Sequence, residues 1–211
     1  IEKTTRLKKG LMQKLLTKGI GHTKFKKITI YPKYFSTEIP DVWEIKFLSE
    51  VTQKISDRDH TTPTYVKDGI PIVSPKDIDD DLILRWDKVK HITEEAHKKN
   101  YRKTDLKPFD IIFSRIGARL GKAILVNDNF YDFSILHSLC QIRVNNLVIP
   151  DYLLQFLRGN LIQKRIWVNV QSIGVPDLGL TEIGLLPILF PPLPEQQKIA
   201  SILSNTDEKI Q

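Results

Sequence analysis

The 211-residue sequence predicts a mixed α/β (α+β) domain with a twisted mixed sheet, flanked by long amphipathic helices that pair antiparallel. The helices are predicted because apolar residues recur every three or four positions near both ends of the chain. The sheet is predicted because short apolar runs, and alternating apolar and polar residues, fill the middle of the chain.

The first eighteen residues are typical of an amphipathic helix. Leu7, Leu11 and Leu15 recur at intervals of four and therefore share one face. Two glycines, Gly19 and Gly21, then end the pattern.

A second amphipathic helix is predicted from residue 193 onward. Pro194 suits the first turn of a helix, and the charge of Glu195 favours that turn. Ile199, Ile202 and Leu203 then mark one face. Both helical patterns reach an end of the chain without a cap, so we expect the chain to be a piece of a longer protein.

The middle of the chain mixes strands and one further helix. A polar loop punctuated by glycines, residues 114–122, joins two of the predicted strands. Strands are predicted at residues 70–73, 111–113, 123–126, 140–144 and 188–190, and a helix at residues 152–167.

The formal net charge of +7 is unevenly distributed. Residues 1–33 contain ten Lys and Arg against Glu2 alone, and residues 98–122 contain eight against Asp105 and Asp110. Basic segments on an otherwise balanced chain indicate a polyanionic partner, of which nucleic acid is the commonest. A solvated helix face explains such charge equally well.

Cysteine content and hydropathy exclude other classes. Cys140 is the only cysteine in the sequence, which excludes an internal disulfide framework and a cysteine-based zinc site. The longest apolar stretch, residues 183–193, is interrupted by three prolines and is shorter than the roughly 20 residues of a membrane span. We therefore expect no membrane partner and a cytoplasmic location.

Motifs for catalysis and cofactor binding are incomplete. Residues 117–122 have three residues between their glycines, whereas a P-loop has four. Phe190 precedes two prolines where the catalytic loop of adenine methyltransferases needs Asn or Asp. His91, Glu95 and His97 do not share one helix face. We therefore expect no cofactor, no metal and no catalytic residue.

Five segments, in this order, resemble the specificity subunits of type I restriction-modification systems. Residues 39–44 (IPDVWE) are similar to the opening of a target recognition domain, and residues 69–78 (GIPIVSPKDI) to its first core strand. Residues 109–122 are similar to the glycine-bearing hairpin of that family. Residues 191–200 (PPLPEQQKIA) give the most specific match, to the start of a conserved helical spacer, and residues 7–16 resemble the end of that spacer.

The resemblance implies a subunit that reads DNA without doing chemistry itself. Members of the family alternate two target recognition domains with two helical spacers, which set the distance between the half-sites of a split DNA target. Methyltransferase (M) subunits modify adenine N6, and a restriction (R) subunit completes the complex. By this pattern, residues 1–20 end a spacer, residues 21–192 form a target recognition domain, and residues 193–211 begin a spacer.

The partners implied are double-stranded DNA, the M and R subunits, and a second recognition domain or a homodimer partner. The last of these would be held through helix–helix contacts. The predicted helix-packing residues are Leu7, Leu11, Leu15, Ile199, Ile202 and Leu203.

Reading a DNA sequence requires side chains that reach base edges in the major groove, where Arg pairs with guanine and Asn or Gln with adenine. Three polar segments are candidates: the hairpin loop, a loop around residue 60, and the segment before Gly174. The predicted DNA-binding residues are Arg115, Arg119 and Lys122 in the first, Arg58, His60, Thr61 and Thr62 in the second, and Gln171 and Ser172 in the third. Each segment is equally well explained as a solvated loop.

Two other classes of function stay open. One is a basic protein-interaction or scaffolding module without base readout, which would show no preference among DNA sequences. The other is a fragment of a DNA-modifying enzyme, which would bind S-adenosylmethionine or gather a cluster of carboxylates.

Overall fold

Strands and helices alternate irregularly along the chain in the computed structural model, which describes residues 2–30, 35–128, 132–169 and 174–208. Within these ranges, six α-helices accompany twelve strands, and the strands form four sheets. The mixed class predicted from the sequence is confirmed. These strands are short, and they pair in separate sheets rather than in one continuous sheet.

The helices are α1 (Glu2–Lys18), α2 (Glu94–Tyr101), α3 (Pro150–Arg158), α4 (Asn160–Asn169), α5 (Leu180–Gly184) and α6 (Leu193–Glu208). The strands are β1 (Phe25–Ile30), β2 (Phe35–Pro40), β3 (Glu44–Phe47), β4 (Thr52–Ser56), β5 (Tyr65–Val66), β6 (Ile70–Val73), β7 (Lys90–Ile92), β8 (Ile111–Ser114), β9 (Ala123–Leu125), β10 (Ser134–Ile135), β11 (Leu139–Val144) and β12 (Pro187–Phe190).

An antiparallel sheet of order β4-β11-β8-β9 separates two hydrophobic cores. Side chains alternate across a strand, so Ile111 and Phe113 enter one core while Ile112 enters the other. All three are fully buried, which explains why β8 is a continuous apolar run.

The second core lies between this sheet and a mixed sheet of order β10-β6-β7-β5. Strand β10 pairs parallel to β6, and the remaining pairs are antiparallel. Val73 and Ile135, from the two parallel strands, are fully buried in that core. The two four-stranded sheets therefore give the surface loops a rigid base.

The predicted helix at residues 152–167 is two helices, α3 and α4, so that prediction was wrong in length. Gly159 ends α3, and its backbone N–H donates to the carbonyl of Phe156. A Cβ atom at Gly159 would lie 3.1 Å from Leu16 Cδ1, so the glycine also admits the close approach of α1.

Helices α1 and α6 contact each other and pack on the first core. Met12 and Leu16 of α1 are buried there, together with Ala200 of α6. Two further strand pairs, β1–β2 and β3–β12, lie outside the two larger sheets. None of the helices in the described ranges combines the length and the apolar character needed to cross a membrane.

Candidate nucleic-acid interface

The loop between β8 and β9 is a tight hairpin that backbone hydrogen bonds close. Ser114 N–H donates to Lys122 O, and Gly121 N–H donates to Ser114 O, each at 2.8 Å. Gly117 and Gly121 have φ angles of +89° and +88°, which side chains with a Cβ rarely adopt. Gln163 of α4 donates to Gly121 O at 2.8 Å, so the hairpin is anchored to a helix.

Arg115 lies inside this hairpin rather than on its surface, since the residue is only 5% exposed. Its guanidinium nitrogens donate to the carbonyls of Leu178 and His137, at 3.1 and 3.0 Å, and to the Asp177 carboxylate at 3.0 Å. Asp57 adds an ion pair at 3.4 Å. All three nitrogens are therefore engaged within the protein, and Arg115 holds four segments together.

Arg119 and Lys122 project from the hairpin toward one acidic loop. Lys122 Nζ donates to Asp79 O at 3.1 Å and to the Asp80 carboxylate at 2.6 Å, while Arg119 Nη1 donates to Ile78 O and lies 3.5 Å from Asp80. These two cations, Lys122 first, lower the pKa of Asp80. The Asp80 side chain is 92% exposed, so solvent screens the pairs and both cations can exchange partners.

The loop between β4 and β5 (residues 57–64, called the β4–β5 loop) reaches the same area. The imidazole of His60 stacks on that of His137, with ring centroids 5.0 Å apart. Thr61 and Thr62 are exposed at the loop tip. Arg58, by contrast, is only 3% exposed and folds back beneath the loop.

Gln171 and Ser172 lie outside the described residues. The segment that follows them nevertheless runs beside the hairpin. Gly117 N–H donates to Pro176 O at 2.8 Å, and Leu178 N–H donates to Arg115 O at 2.9 Å. The structure thus brings two of the predicted DNA-binding segments together and places the flank of the third against them.

An open cleft of about 320 Å³ beside these loops is lined by residues that no sequence pattern predicts. Its lining includes Tyr65, Lys76, Lys90, Ile116 and Ser138. The Lys90 ammonium lies 4.1 Å from the centre of the Tyr65 ring, a cation–π contact. A two-residue strand such as β5 carries no periodic signal, so only the fold could place Tyr65 here.

The six predicted helix-packing residues differ in exposure. Leu15, Ile199 and Leu203 are buried in the core of this chain, and Leu11 packs partly buried against it. Leu7 is 69% exposed and Ile202 is 39% exposed. The inner part of each helical stripe therefore serves this domain, while the outer part faces solvent.

The described ranges contain no group of three or more His, Cys, Asp or Glu side chains placed to hold a metal ion. Cys140 is fully buried, and that burial raises the pKa of its thiol far above the usual range. The thiol therefore stays protonated and is a poor nucleophile. Arg119, Lys122 and the threonine hydroxyl groups lie around Arg115 together with the carboxylates of Asp57, Asp80 and Asp177. Cations and hydroxyl groups of this kind can bind a polyanion.

Comparison with known proteins gives a consistent result for most of the chain. The family model described as "Type I restriction modification DNA specificity domain" matches residues 40–211. The chain is 30% identical over 186 residues to the putative type I restriction enzyme MjaX specificity subunit of Methanocaldococcus jannaschii, covering 82% of this chain and 41% of that protein. It is 26% identical over 222 residues to the MjaVIII specificity subunit of the same organism, covering 100% of this chain and 49% of that protein.

A solved structure shares the fold. The crystal structure of the HsdS subunit from Thermoanaerobacter tengcongensis superposes with a TM-score of 0.64 at 16% identity, covering 99% of this chain and 44% of that one. The chain spans less than half the length of each of these relatives.

Proposed function

The chain belongs to the family of type I restriction-modification DNA specificity domains, and from that membership we propose that it reads one half of a split DNA target without catalysing a reaction. The observation that carries the proposal is the meeting of separate loops around Arg115. The β8–β9 hairpin, the β4–β5 loop and the segment after residue 173 share one surface. Loops fixed on a rigid base are how folds commonly present recognition residues.

Arg115 has a positioning role in this proposal, because its donors are already used. Base contacts fall to the half-buried Arg119 and Lys122, to the exposed His60, Thr61 and Thr62, and to Gln171 and Ser172 in the third segment. Arg119 and Lys122 are held by an exposed carboxylate that a base edge or a phosphate can replace.

Partners follow from the proposed role. We propose that methyltransferase (M) subunits and a restriction (R) subunit act at the site this domain selects. We further propose that residues 1–20 and 193–211 belong to helical spacers and residues 21–192 to the target recognition domain. The exposed Leu7 and Ile202 would then contact a second recognition domain or a homodimer partner, and the complex would work in the cytoplasm.

Selection of duplexes from a random pool by the complete purified protein tests the proposal. We expect enrichment of a short fixed sequence, and binding of that duplex at least about a thousandfold tighter than binding of random DNA. Binding without enrichment would favour a scaffolding module. Binding of S-adenosylmethionine by the chain alone would favour a fragment of a DNA-modifying enzyme.

A further inference from the structure

Arg58 is a buried cation whose hydrogen-bonding capacity is mostly unused. Its Nη2 donates to Thr61 O at 2.6 Å and lies 3.4 Å from the Thr61 hydroxyl. Its Nε and Nη1 are sealed from solvent and have no hydrogen-bond partner among the described residues. Burial of the guanidinium lowers its pKa, as expected for a charge removed from water without a carboxylate partner.

Two imidazoles and a second arginine lie near Arg58. His137, whose Nδ1 is also buried and without a partner among the described residues, stacks on His60. Burial first, then the charges of His60, Arg58 and Arg115, lower the pKa of His137, whereas Asp57 opposes them. These groups all lie within electrostatic reach of one another.

The neighbouring carboxylates are already engaged. Asp57 lies 3.4 Å from Arg115 and 3.5 Å from His60. Asp59 forms an ion pair with Lys103 and accepts its hydrogen bond. None of these carboxylates therefore reaches the Nε and Nη1 atoms of Arg58, and charged donors that are left unused in this way are the chemistry of an anion site.

We propose that Arg58 and His137 form a binding site for a DNA backbone phosphate, which opens when the β4–β5 loop lifts. The inference rests on the proposed function, because DNA supplies the phosphate. The loop must move, since the Nε and Nη1 atoms are sealed from solvent when it is closed. The loop has no regular structure, and lifting it breaks the Arg58–Thr61 hydrogen bond, the Asp59–Lys103 ion pair and the His60–His137 stack.

Replacing the arginine of such a site should change DNA affinity and fold stability in opposite directions. An unpaired buried charge destabilises a fold, so an apolar residue of similar length should stabilise it. Arg58→Met should therefore unfold at an equal or higher temperature than the wild type. The same variant should bind every duplex roughly tenfold more weakly, as expected for one charge-assisted hydrogen bond.

The experiment compares the complete wild-type protein with Arg58→Met and with Lys198→Gln, which removes one exposed charge on α6. Affinity for the selected duplex and for random duplexes is measured from 50 to 300 mM salt, and unfolding is followed in parallel. Arg58→Met should weaken both affinities alike and reduce the slope of log K against log salt by about 1. Lys198→Gln should change neither value.

Three outcomes would overturn the phosphate site. A lower unfolding temperature for Arg58→Met would show that the guanidinium stabilises the fold. A loss confined to one base pair, with an unchanged salt slope, would make Arg58 a reader of base edges. Unchanged affinity and an unchanged salt slope would show that Arg58 does not contact DNA.

Inorganic phosphate separates this inference from the proposed function. In the wild type, titration with phosphate should shift the NMR signal of the His137 Cε1 proton, and Arg58→Met should abolish that shift. If the wild type binds no duplex but the shift appears, the anion site stands while DNA recognition fails. An absent shift in the wild type would contradict the site.

Discussion

Glu195 accepts a hydrogen bond from the indole Nε1 of Trp43 at 2.9 Å and thereby joins the first turn of α6 to a fully buried side chain. The same carboxylate accepts from the backbone N–H of Ile20 at 2.9 Å and contacts His22 Nε2 at 2.8 Å. Gly19, at φ +65°, leaves room for it, because a Cβ there would lie 2.4 Å from Glu195 Oε1. One side chain thus connects the end of α1, the start of α6 and the central domain.

Glu195→Gln should destabilise the fold by about 1.5–3 kcal/mol, because an amide offers one acceptor oxygen where the carboxylate satisfies three contacts. Urea denaturation of the complete protein measures the change in the free energy of unfolding. Glu95→Gln, on the exposed face of α2, is the matched control and should stay within about 0.5 kcal/mol of the wild type. Equal losses in both variants would show that the Glu195 contacts contribute nothing specific.

The sequence indicates this junction only in part. Pro194 and Glu195 correctly predict the start of α6 from helix rules alone. The partners of Glu195 lie more than 150 positions earlier in the chain, so no local pattern could reveal them.

The hairpin arginines should separate into a structural and a recognition role. Arg119→Ala should cost only about 0.5–1.5 kcal/mol of stability, because the ion pair with Asp80 is exposed and only the hydrogen bond to Ile78 O is lost. It should relax discrimination at one base position by roughly 1–3 kcal/mol if Arg119 reads a base. Competition binding with single-base variants of the selected duplex measures this. Uniform weakening across all duplexes would place Arg119 on a phosphate instead.

Arg115→Lys should act differently, through the fold. A lysine cannot reproduce the contacts to Leu178, His137 and Asp177, so at least two of these acceptors lose their donor. We expect a fall in stability of about 1.5–3 kcal/mol, as for lost hydrogen bonds to a charged group, and a matching loss of sequence preference. A variant that folds as stably as the wild type would contradict the positioning role of Arg115.

Acid should weaken the fold through Asp105. Burial alone would raise the pKa of this carboxyl, but hydrogen bonds from Lys54 and Arg143 outweigh burial and hold the pKa well below its usual range. Because the folded-state pKa is depressed, the stabilisation is present above the unfolded value of about 3.9 and is lost as pH falls below it.

Urea midpoints at pH 7 and pH 3 measure this effect. Asp105→Asn should be less stable than the wild type at pH 7 and should lose less stability on acidification. The exposed Asp87→Asn variant should keep the pH dependence of the wild type. If Asp105→Asn also keeps that dependence, other carboxyls govern the acid response.

Substitution of buried and of exposed leucines in the two terminal helices should change the stability of the domain by different amounts. Leu203→Ala should cost about 2–5 kcal/mol, because the side chain is fully buried in the first core. Leu7→Ala should change the stability of the domain by less than about 0.5 kcal/mol, because Leu7 is 69% exposed. If Leu7 packs on a partner, gel filtration or analytical ultracentrifugation of Leu7→Asp should show loss of association. Unchanged association would show that Leu7 does not pack on a partner.

Apolar residues at helical spacing predicted the terminal helices, and a short continuous apolar run predicted the buried strand β8. Helical spacing could not reveal the break at Gly159, because a single glycine is tolerated within many helices. The roles of the candidate site residues could not be predicted from a local pattern. Arg58 and Arg119 look alike in the sequence, yet one is buried beneath its loop and the other lies in an exposed ion pair. Burial depends on long-range packing, so only the fold separates their roles.

A genome-wide map of N6-methyladenine shows whether this chain selects a DNA sequence for methylation. The map is made in the source cells with the gene expressed, with the gene deleted, and with the deletion complemented. We expect one split motif to lose methylation on deletion and to regain it on complementation, with one half of the motif matching the duplex selected in vitro. Methylation of every motif in the deletion strain would show that this chain does not direct a methyltransferase there.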